Sequence, residues 1–197
     1  MTRAIPPRPT ANEVENYLSK WDLLDNYVLQ ESSLKKLFQQ TYPDNNNIDD
    51  VLIKVCALND FYSTHIFTPY RVAQNIVDLD IDGRLQAHDL TVVNDIALVE
   101  MNDGKTKNFY SFATKYCSHH HPDIYPIYDS FVDKLLMHLK NTDRFACFKK
   151  HDLKNYQRYH DILTDFQKFY SLQSFTLKQI DKYLWQVGKE YFPRKYK

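Results

Sequence analysis

Apolar residues recur every three or four positions along most of this chain, and strict alternation is scarce, so the pattern predicts helices throughout. Thr10 followed by Glu13 is a capping-box pattern, and Val14, Tyr17, Leu18, Trp21 and Leu24 then mark one face of a first helix. A second helical stretch, near residues 26 to 40, carries Leu29, Leu34, Leu37 and Phe38. Turn chemistry follows in TYPDNNN, and Asn47 with Asp50 caps VLIKVCALNDFYS, which is apolar nearly all round and is expected in the core. Thr68-Pro69 opens another helix, with the hydroxyl at N-cap and proline at N1. Turns are expected at Asp82-Gly83 and at Asn102-Asp103-Gly104, with Asp89 capping the TVVNDIALVE segment between them. A helix through Phe109, Phe112, Ala113 and Tyr116 leads to Pro122 and Pro126. YDSFVDKLLMHLK follows, with Phe131, Leu135, Leu136 and Leu139 on one face. Two longer helices, near 152 to 170 and 175 to 190, close the chain, the last capped by Ser174 or Thr176. Residues 1 to 9 read as a mobile, proline-rich lead, and residues 10 to 197 as one all-α domain of about ten helices.

Composition sharpens this picture. A chain of 197 residues suits one large domain or two small lobes, and 43% hydrophobic content allows a sizeable core. Three glycines and few β-branched alternations argue against a sandwich or barrel. No apolar run reaches the roughly 18 residues of a membrane span, and MTRAIPPRPT lacks a signal-peptide core. Three cysteines without paired spacing fit a reducing cytoplasm. The formal net charge is zero, yet its distribution is uneven. Asp78 to Asp103 holds seven acids against Arg84. Lys134 to His160 holds seven Lys and Arg (Lys134, Lys140, Arg144, Lys149, Lys150, Lys154, Arg158) against Asp143 and Asp152. A neutral protein can therefore present a basic face to phosphate, although two solvated helix surfaces explain the same pattern. The basic tail Arg194-Lys195-Tyr196-Lys197 is a further possible phosphate contact.

The densest chemistry lies in KYCSHHHPDIYPIYDSFVDKLL, residues 115 to 136. Cys117, His119, His120 and His121 raise the question of a metal. Zinc ligands normally sit two to five residues apart in two clusters, whereas adjacent helical side chains point about 100° apart, so no metal is assigned. A helix C-terminus, where His bonds the last carbonyls, accounts for the histidines. Asp129 before Ser130 is an ordinary N-cap. Alternatively, Lys115 and Asp129 form a catalytic pair, the amine a nucleophile once burial lowers its pKa and the carboxylate a partner for a developing cation. Asn59, Tyr62, Ser63, Thr64 and His65 make a polar patch at a helix end, which caps that helix or lines a site.

SFATKYCSHHHPDIYPIYDSFV resembles the catalytic segment of the helix-hairpin-helix DNA glycosylases. In that superfamily a hairpin leads into a helix that carries a lysine in the bifunctional members, and a Pro-aromatic-or-Val-Asp stretch after that helix carries the catalytic aspartate. Lys115 and Asp129 in PIYDS match those positions. VLIKVCALNDFYSTHIFTPYRVAQNIVDL is similar to the superfamily's early core helix and DNA-facing turn, and IDKYLWQVGK resembles a closing helix of its bacterial relatives. The resemblance covers residues 48 to 190. Where the family hairpin has a Gly-x-Gly turn, this chain has Asn108-Phe109-Tyr110-Ser111-Phe112, and it lacks the four-cysteine iron–sulfur cluster. What the resemblance implies is excision of a modified base from DNA without a cofactor. Asp129 would steady the sugar cation, Lys115 would form a Schiff base, and Asn59, Tyr62, Tyr110 and Tyr128 would contact the strand or the extruded base, with Phe109 a further stacking candidate. The alternatives are a non-catalytic helical module binding nucleic acid or protein, and a helical component of a defence system.

Overall fold

The computed structural model describes residues 5–193 and is mostly helical, as the apolar periodicity predicts. Among the described residues there are ten α-helices: α1 (Ala11–Trp21), α2 (Asp25–Lys36), α3 (Ile48–Tyr62), α4 (Pro69–Asp78), α5 (Asp82–Gln86), α6 (Val92–Ala97), α7 (Tyr110–His120), α8 (Ser130–Asp143), α9 (Tyr156–Phe169) and α10 (Leu177–Tyr191). A π-helical turn (Leu37–Thr41) continues α2, and a 3-10 turn (Lys150–Lys154) precedes α9. The one departure from helix is a short antiparallel hairpin, β1 (Leu98–Glu100) with β2 (Thr106–Asn108), which pairs Val99 with Lys107. Its turn closes through Gly104, whose φ of 74° suits glycine. The chain divides into two compact units, Met1–Asp25 with Tyr128–Lys197, and Asn26–Ile127. The basic tail at 194–197 lies outside the described residues, as do residues 1–4 of the proline-rich lead.

In the first unit, α1 and α8 both pack on α10. Thr10 caps α1 by accepting the Glu13 N–H, and Tyr17 from that helix donates its hydroxyl to Glu190 at 2.8 Å. Gln186 Nε2 returns a bond to the Tyr17 carbonyl, and Trp21 meets Trp185 edge-on with ring centroids 5.8 Å apart. The described part of the lead lies against this unit, with Pro6 and Pro9 buried and Arg8 3.5 Å from Asp143. Gly188 allows α10 to touch the first turn of α8. A Cβ placed there would stand 2.6 Å from the Phe131 carbonyl oxygen. Thr176 and Gln179 complete a reciprocal capping box at the start of α10.

In the second unit, α3 packs against α4 and α7, and α6 against α7, around Val51, Val55, Leu58, Val72, Ile76, Val93, Ile96, Phe112 and Tyr116. Asn47 caps α3 by accepting two backbone N–H groups. Contrary to the expectation of an all-round core helix, α3 leaves Ile53, Cys56, Phe61 and Tyr62 accessible. Asp82-Gly83 does not make an open turn but begins α5, and the Asp82 carboxylate instead receives the backbone N–H and the amide of Asn45. Asn45 Oδ1 then accepts from Lys54 at 2.6 Å, from the Tyr116 hydroxyl at 2.6 Å and from His120 Nε2 at 3.2 Å. Lys54 is fully buried and donates also to the carbonyls of Tyr42 and Asp44. Burial pulls its pKa down to about 8, against the opposing pull of Asp82, Asp50 and Asp44. Burial and the nearby Lys54 charge also hold His120 well below its usual value, so it stays neutral.

Two outcomes follow from these contacts. At an exposed helix site Gly→Ala gains about 1 kcal/mol of propensity. At Gly188 the methyl group must displace backbone, and overpacking of that kind costs about 1–3 kcal/mol. Gly188→Ala should therefore lower the melting temperature, and an unchanged or raised one would show that α8 does not rest there. For Lys54, the unfolded chain holds its proton up to the ordinary value of 10.5, while the folded chain sheds it near 8. Stability carried by the neutral amine should thus appear as pH rises through that window. Denaturant titrations from pH 7 to 10 should show wild type gaining on Lys54→Met by an amount on the order of 3 kcal/mol at full extent. A difference between the two that is flat with pH would show that the lysine is not held in this way.

Candidate functional site

Helix α7 is the centre of the candidate site in the second unit. It follows β2 directly, and nine of its eleven residues are buried. Ser111, Lys115 and His119 lie four residues apart and form one ridge of the helix. The Lys115 side chain runs back along that ridge, is only 4% exposed, and donates to Ser111 Oγ at 2.7 Å and to the Ser111 carbonyl at 3.1 Å. Its ammonium stands 5.2 Å from the centre of the Tyr62 ring. The Tyr62 hydroxyl and His119 Nε2 are hydrogen-bonded at 3.1 Å, and Gln39 donates to the His119 carbonyl at 2.9 Å. The Ser111 hydroxyl, the Ser111 carbonyl and the Tyr62 ring are electron-rich neighbours of this buried amine. The amine also has little water to compete for its lone pair once the proton is lost.

Asn59, expected to contact substrate, ties down the loop that follows α3. Its Oδ1 accepts from the Thr64 hydroxyl and the Ile66 N–H, and its Nδ2 donates to the Ile66 carbonyl. Ser63 and His65 in this loop have φ of 48° and 60°, a left-handed backbone that non-glycine residues adopt at a cost and that the Asn59 bonds hold in place. The polar patch thus caps and orders a loop. Tyr62 is the member of it that meets Lys115. Tyr110, at the first position of α7, is 4% exposed, and burial raises the pKa of its hydroxyl. Phe109 is the N-cap residue of the same helix.

The histidine run does not end a solvated helix. His119 reaches Tyr62, His120 reaches Asn45, and the His121 ring packs on those of His88 and Tyr125. Three neighbours along the chain thus serve three different surroundings, and Cys117 is fully buried with its thiol pKa pushed up by burial. Among the described residues no group of three or more His, Cys, Asp or Glu is arranged to hold a metal ion. Likewise, no helix among them is long and apolar enough to cross a membrane. The three cysteines are free thiols.

Asp129 belongs to the first unit, where it is the N-cap of α8: its Oδ1 accepts the Phe131 N–H at 2.7 Å and its carbonyl accepts the Asp133 N–H. Tyr128 beside it is 5% exposed, donates its hydroxyl to Asp133 Oδ2 at 2.6 Å, and meets Tyr159 edge-on. Sequence reasoning named Ser111 only within the segment replacing the hairpin turn and His119 only as a possible metal ligand, and it did not single out Asp133. The four-residue spacing of Ser111, Lys115 and His119 was the signal available for the first two, and Asp133 had none beyond its place in the first turn of α8.

Residues 13–124 match the HI_0787_N family, described as an N-terminal domain, and this span includes Asn59, Tyr62, Tyr110 and Lys115. An uncharacterized protein of Haemophilus influenzae is 45% identical over 152 residues, which cover 77% of this chain and 72% of that protein. No solved structure matches the chain. With more than half its length matched and that degree of identity to a relative, the chain belongs to the HI_0787_N family.

Proposed function

We propose that this chain is a DNA glycosylase-like enzyme of the cytoplasm that removes a modified base. The observation that carries this reading is the Lys115 amine, withdrawn from water between Ser111 Oγ and the Tyr62 ring. In the proposed reaction the neutral amine attacks the anomeric carbon of an extruded nucleotide. The glycosidic bond breaks, its electron pair leaves on the base, and the base takes up a proton. The nitrogen gives up a proton, and the bond from the anomeric carbon to the ring oxygen then breaks, the oxygen taking that proton as a hydroxyl and the nitrogen's lone pair forming a protonated imine on Lys115. Asp129, the N-cap of α8, stabilises the positive charge on the sugar. The aromatic candidates are Tyr62 against Lys115, Tyr110 at the start of the same helix, and Tyr128 next to Asp129 in the chain, Tyr62 being the most accessible of the three.

One observation favours a second reading, a non-catalytic module that binds nucleic acid or protein. Asp129, Asn59 and Tyr128 each have a structural task, as cap, loop tie and partner of Asp133. Asparagine caps helices about as well as aspartate, so Asp129→Asn removes the charge and leaves the cap. Duplexes carrying oxidised, deaminated or alkylated bases, treated with protein and borohydride, should give a covalent adduct that Lys115→Ala abolishes. Base release should fall at least about a hundredfold in Asp129→Asn while the melting temperature holds, since charge stabilisation of that kind is worth several kcal/mol. Release that survives both substitutions would remove these residues from the chemistry, and no release from any such duplex would leave the binding module.

A further inference from the structure

Of the buried polar groups on α7, His119 takes no part in the reaction proposed above. It lies one helical turn beyond Lys115 on the same ridge and is 5% exposed. Its Nε2 is hydrogen-bonded to the Tyr62 hydroxyl at 3.1 Å, and Gln39 donates to its carbonyl at 2.9 Å. Phe38, from the same π-helical turn as Gln39, sets its ring 5.4 Å from the imidazole. Its titratable neighbours include Tyr62 from α3, and Lys115 and His120 from α7 itself, whereas Phe38 and Gln39 do not titrate. Tyr62 is the outer member of the pair, 36% exposed, and its ring centre stands 5.2 Å from the Lys115 nitrogen. The imidazole is thus shut away from water behind a phenol that is not.

That order suits a proton donor with a reserve. A base that leaves with the electron pair of its glycosidic bond needs an acid, unless it already carries a positive charge. Deaminated and oxidised bases are neutral while attached and would depart as anions without a proton. A base alkylated at a ring nitrogen, such as N7-methylguanine, is cationic while attached and departs neutral.

We propose that Tyr62 is the general acid of the site, that His119 restores its proton, and that the substrate is a neutral rather than a cationic modified base. The relay rests on the excision reading above and sets the class of base it accepts. As the glycosidic bond breaks, its electron pair passes to the base, and a base nitrogen takes the hydrogen of the Tyr62 hydroxyl. The phenolate oxygen then takes the Nε2 proton of the His119 imidazolium, and the neutral imidazole is reprotonated from water before the next turnover. Tyr62 touches the base, and His119 acts through Tyr62 as a positioning residue.

The test is base release between about pH 5 and 9 from duplexes bearing uracil, hypoxanthine or 8-oxoguanine, and from one bearing N7-methylguanine. Wild type should release a neutral base and leave N7-methylguanine at its spontaneous rate. Its profile should be bell-shaped, with a rising limb from the Lys115 amine and a falling limb from His119. Tyr62→Phe should slow release about a hundredfold. His119→Gln, whose amide can hold the Tyr62 hydroxyl but does not titrate, should slow it at least about tenfold and lose the falling limb. A duplex with a ready-made abasic site has no base to protonate, so its borohydride adduct with His119→Gln reports that the variant is folded and its Lys115 reactive. A falling limb kept in His119→Gln, an abasic adduct lost together with release, or release of N7-methylguanine alone would each overturn the relay while excision stands. If no duplex loses a base, excision falls and the relay with it.

Discussion

A helix buried on almost every side cannot leave its polar groups to water, and that constraint organises the second unit. Most donors and acceptors carried inward by α7 find a partner within the protein, the buried Ser118 hydroxyl being an exception, because an unmet buried group costs about 1–3 kcal/mol. Thr114 turns back to the Ser111 carbonyl, Lys115 to Ser111, Tyr116 and His120 to Asn45, and His119 to Tyr62. The segment from Tyr42 to Asn45 is shaped by the same demand. It supplies two carbonyls and an amide to Lys54 and is itself held by Asp82. A fully buried lysine is tolerable here since three acceptors close round it, and the cluster is costly to disturb from any one side.

The helical repeat explains why three consecutive histidines do not converge. Ser111, Lys115 and His119 form one ridge, and Phe112, Tyr116 and His120 the next, with successive rings 5.8 and 5.5 Å apart along it. His121 falls at the end of the helix and accompanies Tyr125. The chemistry of the run is thereby separated. One ridge carries a buried amine, the neighbouring one a network that ties α3, α5 and α7 together. That separation allows Lys115 a role of its own, because the structural demands of Lys54 and Asn45 fall on a different face.

What could be read from the chain follows from how local each cause is. The caps at Thr10, Asn47 and Thr176 were legible because the capping group and the N–H it receives lie within three residues. The helical character of the chain was legible because burial repeats with the helical period. The hairpin at 98–108 was not. Its strands are three residues long, one of them fully exposed, and neither alternates enough to be told from a helix end. Asp82-Gly83 carried a turn signal, yet Asp82 found a partner 37 residues away in Asn45, which no local rule reveals. The histidines read as a helix C-terminus because imidazoles there suit the dipole and bond the last carbonyls. Only the surrounding fold makes that end an interior.

The same distinction bears on the two groups at the heart of the proposed chemistry. Asp129 would be present as an N-cap in any protein that starts a helix at Ser130, so its identity alone says little about reaction. Lys115 is different. Mid-helix lysines ordinarily reach water along their aliphatic stems, and to withdraw one costs the hydration of its charge. A helix needing only a spacer at that position would be served by an apolar residue of similar volume at lower cost. An amine retained there, against a hydroxyl and beneath an aromatic face, is the feature on which the proposed chemistry rests.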